Sequence, residues 1–137
     1  MRYLCLVYFN EDSFAGMTEE EGRRLTDATI EEDHDLRRRG KLILGQPLDE
    51  PATAVNIRVR DGKVLRTDGP YVETKEWLGG FTLIEAKDME EAIALNAESE
   101  ITKISRIEIR PILVQTHSQT GAERPEVKED LNGPATR

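Results

Sequence analysis

The chain has 137 residues, enough for one domain with a modest core and too few for two. A formal net charge of −8, with 34% charged residues and no basic stripe, excludes direct nucleic-acid binding, and the run Arg37 to Arg39 reads as cations favoured at a helix C-terminus. No apolar run approaches the ~20 residues that cross a bilayer, and the opening MRYLCLVYFNED lacks a signal-peptide cleavage site, so no membrane contact and a cytoplasmic location are expected.

Residues 2–9, RYLCLVYF, read as a strand that is apolar on both faces: Leu4, Leu6 and Tyr8 point one way, and Tyr3, Cys5, Val7 and Phe9 the other. Cys5 is the single cysteine, so no internal disulfide forms, and inside such a strand it reads as a core thiol rather than a nucleophile. Thr18 and Glu21 make a T-x-x-E capping box and Gly40 a C-terminal stop, which predicts a helix from about Thr18 to Arg39. Its thin apolar stripe is Leu25, Ala28, Thr29 and Leu36, with Glu32 as a carboxylate on the same face that wants a partner. His34, between Asp33 and Asp35, falls on the opposite side and reads as a surface histidine.

A second strand, KLILGQPL, is interrupted by Pro47, and ATAVNIRVRDGKVLRTDG reads as a hairpin turning at Asp61-Gly62. GGFTLIEA (79–86) is the next strand, with Phe81 and Leu83 opposite Ile84 and Ala86. Asp88 and Glu91 cap a second helix whose apolar stripe is read as Met89, Ala92, Ile93 and Ala97, and residues 105–114 form the last strand. From Gln115 onward the chain is polar and rich in Gly and Pro, so the expected organisation is a domain over 1–114 and a mobile tail over 115–137. The order β-α-β-hairpin-β-α-β predicts an α+β fold with both helices on one face of an antiparallel sheet. The second face is also apolar and needs a cover, which a second copy would supply as a homodimeric α/β barrel.

The stretch TDGPYVETKEWLGG (67–80) concentrates ionisable groups beside the only tryptophan. Asp68-Gly69-Pro70 is ordinary turn chemistry. Asp68 and Glu73 are nevertheless candidate acid–base carboxylates, because burial of one of such a pair raises its pKa. Lys75, flanked by Glu73 and Glu76, reads as a protonated anchor for an anion, and Trp77 either caps the strand or lines a pocket. Arg110, alternating with Ile107, Ile109 and Pro111, either holds an anionic ligand or pairs with Glu108. Two distant histidines, His34 and His117, and one buried cysteine do not make a metal site, and no phosphate-binding glycine loop, nucleophile elbow or dinucleotide fingerprint is present, so neither metal nor cofactor is expected.

DGPYVETKEWLGGFTLIEAKDMEEAIALNA followed by IEIRPI, together with RRGKLILGQPL, resembles the YCII-related proteins of the DGPF branch, with Tyr71 in the place of the signature phenylalanine. The resemblance covers residues 1–114 and implies a ferredoxin-like βαββαβ fold that dimerises into a barrel, with a pocket lined partly by the signature segment. It also implies an alternative role, since some members of that branch resemble products encoded beside extracytoplasmic-function sigma factors: an accessory protein with such a sigma factor as partner. Simpler members carry a His–Asp pair as their active-site candidate. Thr29 stands at the histidine's position here and NAESEI where Asp-Pro is expected, so the pair is not carried over.

Overall fold

The computed structural model describes residues 1–126 of the chain. Strand β1 (Arg2–Asn10) leads into helix α1 (Glu19–Arg38), strand β2 (Leu42–Pro47), the hairpin β3 (Val55–Arg60) and β4 (Lys63–Asp68), strand β5 (Glu76–Glu85), helix α2 (Met89–Ala97) and strand β6 (Arg106–Pro111). Short 3-10 turns at Pro51–Thr53 and Glu100–Ile104 were not foreseen from periodicity, which a single turn is too short to display.

The helix ends follow side-chain chemistry. Thr18 Oγ1 accepts the Glu21 N–H at 3.1 Å and donates to the Glu21 carboxylate at 3.0 Å, while Asp88 accepts the Glu91 N–H at 2.9 Å. Gly40, at φ +73°, takes the left-handed conformation that stops α1. The hairpin turns where expected, with Asp61 at φ 50° and Gly62 at φ 75°, the two positive values that suit a right-handed strand twist.

The main sheet is antiparallel in the order β2-β5-β1-β6, and β3-β4 stands as a separate two-stranded sheet. This mixed α+β arrangement is compatible with a ferredoxin-like fold carrying the hairpin as an insertion between β2 and β5. Among the described residues the sheet is open, with β2 and β6 at its edges, and no barrel closes within one chain.

The alternation along β1 decides where the core lies. Tyr3 and Cys5 are buried with Leu42, Ile84, Ala86, Ala92 and Leu95, and Leu36, Met89, Ile107 and Ile109 pack around them. Both helices therefore cover the face that carries Tyr3 and Cys5, as the order of elements predicts. In α2 the buried positions are Ala92 and Leu95, whereas Ile93 and Ala97, both read onto the apolar stripe, are exposed; the stripe is Met89-Ala92-Leu95. The Cys5 thiol is held above its usual pKa chiefly by burial and accepts from Asn96 Nδ2 at 3.2 Å, consistent with a core thiol.

Glu32 has its partner. Its carboxylate accepts the Glu100 N–H at 3.1 and 3.2 Å, at the start of the 3-10 turn Glu100–Ile104, and so ties α1 to the segment after α2. The expected tail is exposed over residues 115–126, where one isolated bridge joins Thr116 to Glu123; the rest of that tail, 127–137, lies outside the described residues.

Candidate functional site

The face of the sheet away from the helices carries two kinds of side chain. Register places Leu4 beside Leu83 and Arg110, Leu6 beside Phe81 and Glu108, and Tyr8 beside Leu78 and Arg106. Leu44 pairs with Leu83 and extends the apolar field to β2. These leucines and Phe81 are only partly buried in the single chain. An apolar field on β1, β2 and β5 is thus bordered along β6 by Arg106, Glu108 and Arg110.

Within that border Arg106 is the organising group. Its Nε and Nη2 reach the Glu76 carboxylate at 3.0 and 2.6 Å, its Nη1 lies 3.9 Å from Glu108, and its guanidinium carbon sits 4.5 Å from the centre of the Tyr8 ring. The hydrogen bonds from Arg106 hold the Glu76 carboxyl below its usual pKa. Any stability the pair gives is therefore present at neutral pH and is lost as pH falls through the lowered value. Both side chains are substantially exposed, at 52% and 38%, so solvent screens the attraction. Glu76→Gln is expected to leave the urea-unfolding midpoint close to that of the wild type, because solvent screens the pair; a clear loss would make the pair a structural clamp.

The signature segment is spread along a loop rather than gathered into a pocket. Gly69, at φ +88°, donates its N–H to Ala54 O at 2.7 Å, and Asn56 Nδ2 donates to Gly69 O at 2.8 Å, so the turn is pinned to the hairpin's base. Asp68 accepts from Arg66 Nε at 2.8 Å. Tyr71 receives a hydrogen bond from Arg58 at 2.9 Å, and the same guanidinium lies 5.1 Å from its ring centre. The side chains of Glu73 and Lys75 are exposed and make no hydrogen bond or ion pair among the described residues. Arg110 is likewise exposed and without a partner among those residues, so the Glu108 pairing weighed for it goes to Arg106 instead.

Trp77 stands opposite Phe9, on the helix-facing side of β5, and is half-buried. Of the sequence-derived candidates, Glu76 and Arg110 share the open face, whereas Asp68, Glu73 and Lys75 lie on β4 and the loop after it. The sequence places Arg106 with Glu108 and Arg110 on the polar face of the last strand and Tyr8 with Leu4 and Leu6 on one face of the first, but it names neither Arg106 nor Tyr8 as a site residue.

No group of His, Cys, Asp and Glu among the described residues is arranged to hold a metal ion, and no helix there is long and apolar enough to cross a membrane. Compared with known families, residues 1–116 match the YCII-related domain. An uncharacterized protein of Rhizobium meliloti (strain 1021) is 29% identical over 114 residues, covering 82% of this chain and 92% of the relative.

Proposed function

The chain belongs to the YCII-related domain family, and from that premise we propose that it acts as a homodimer whose two open sheet faces enclose a space that binds a small polar or anionic molecule. The uncovered apolar face of the sheet carries this reading. Leu4, Leu6, Leu44, Leu78, Phe81 and Leu83 form a continuous field that one chain leaves only partly covered, and apolar surface of that kind is stabilised by a partner. The hairpin supports it independently. Val55, Ile57, Val59 and Val64 alternate onto one face of β3-β4 and are 50–68% exposed, a poor arrangement for an isolated two-stranded ribbon.

Arg110 is the anion anchor in this reading, since Arg106 is already engaged by Glu76 and Glu108. Lys75 adds a second cation from the loop at the Asn10 end of the sheet, while Trp77, on the helix-facing side of β5, stands outside this space. Glu73 is the carboxylate open to acid–base chemistry; Asp68 would first have to leave Arg66.

Light scattering at micromolar concentration is expected to give twice the 15.5 kDa of one chain. Leu6→Asp, which places a charge at the middle of the open face, is expected to return the mass to 15.5 kDa while the far-UV spectrum keeps its shape. A wild-type monomer at that concentration removes the enclosed space and the proposal with it. For the ligand, a thermal-shift screen of phosphate monoesters and dicarboxylates should find stabilisation in the wild type that Arg110→Ala loses.

A further inference from the structure

Helix α1 is twenty residues long and none of them is buried. It packs on the sheet at Leu36, and an open cleft of about 1860 Å³ runs alongside it, more than the roughly 300–1,000 Å³ that small-molecule sites commonly occupy. Val7, Phe9, Leu25, Leu36 and Ile107 give the cleft apolar walls. Asp33 is one of several ionisable groups that also border it. It sits on α1 facing Gly45 of β2: a Cβ built on that glycine would lie 3.5 Å from Asp33 Oδ2 and 3.1 Å from Thr82 Cγ2 of β5. The missing side chain at Gly45 therefore lets the carboxylate approach β2 closely, at the border of the cleft.

Arg37 and His34 act on the carboxylate only through their charge. No hydrogen bond or ion pair to it exists among the described residues, although it is half-buried, and burial is the largest cause holding its pKa above the usual carboxylate value. The neighbouring charges are spoken for. Arg37 donates from Nε to Leu42 O and from Nη2 to Ile43 O, both at 2.9 Å, and Glu32 caps the turn at Glu100. A half-buried acceptor facing an apolar cleft is complementary to one chemical class above others: a compact cation that donates hydrogen bonds and carries a hydrocarbon body.

We propose that the cleft between α1 and the sheet is a second binding site, taking an amphipathic small-molecule amine with its ammonium on Asp33 and its apolar body along Val7, Phe9 and Leu25. This site lies on the helix-covered side of the sheet, so it stands or falls separately from the anion site on the open side.

The test uses the full chain and two matched probes, n-hexylamine and hexanoate, which share a hydrocarbon length and differ in the sign of the head group. Titrations followed by amide NMR should show saturable hexylamine shifts centred on Gly45, Thr82 and Thr29. Binding should weaken roughly tenfold or more in Asp33→Asn, and hexanoate should bind the wild type weaker than hexylamine by a similar factor. The wild-type probe comparison needs no variant, so it decides the matter even if Asp33→Asn folds poorly. Equal affinity for the two probes, undiminished hexylamine binding by a folded Asp33→Asn, shifts centred elsewhere, or no hexylamine binding at millimolar concentration would each overturn the proposal.

Discussion

Gly79→Ala is expected to cost about 1–3 kcal/mol of stability, although the change adds one methyl group at a half-buried position. A Cβ at Gly79 would fall 2.2 Å from both Cδ2 and Cε2 of Phe9, well inside contact distance. The collision follows from register: pairing of β1 with β5 shifts between Val7 and Tyr8, Gly79 is the residue left over, and the strand folds its backbone against the Phe9 ring there. That ring cannot simply swing aside, because Phe14 lies against it with centroids 4.8 Å apart. The double variant supplies the check. In a Phe9→Leu background the obstructing ring is gone, so Gly79→Ala should cost far less, and a urea-denaturation cycle should return a coupling of roughly 1 kcal/mol or more. An equal cost in both backgrounds would refute the steric account. Gly80 is constrained by backbone instead, its built Cβ meeting Gln46 O at 3.1 Å, so no side-chain deletion is expected to rescue Gly80→Ala.

The second large effect separates two isoleucines that sequence reading treated alike. Ile84 is 2% exposed in the cluster with Tyr3, Leu42 and Leu95, and Ile84→Ala is expected to cost about 2–5 kcal/mol through lost burial and the cavity left behind. Ile93 is 46% exposed, and Ile93→Ala is expected to stay within about 1 kcal/mol of wild type. Thermal or urea unfolding of the two variants measures the difference directly. Comparable losses would mean that Ile93 is covered in solution by something outside the single chain.

These cases show what the residues alone could and could not convey. Alternation along β1 told the two faces apart because a strand's period is two and every position is decisive. The cap at Thr18, the stop at Gly40 and the Asp61-Gly62 turn were legible because each rests on local chemistry. The stripe of α2 slipped because in a nine-residue helix Ile93 and Leu95 both stand near the apolar arc, and only the sheet beneath decides between them. The start of β5 at Glu76 rather than Gly79 was hidden by the bulge, which exists only against β1. Site residues were harder still. Glu76 meets Arg106 across thirty positions of sequence, and Asp33 faces Gly45 from another element, so neither juxtaposition leaves a local signal. Periodicity also could not reveal that the helix carrying Asp33 leaves every one of its residues at least partly open to solvent.

The placement of β1 in the middle of the sheet has a consequence for how the chain reaches this state. Tyr3 must find Ile84 on one side and Pro111 on the other, so the strand that precedes its partners in the chain must wait for both of them. During synthesis RYLCLVYF stays without its ladder until most of the domain has been made, and closing those long loops costs entropy before either pairing repays it. Assembly from such distant pairings is expected to be slow for a domain of this size, with an apolar strand exposed to other chains in the interval.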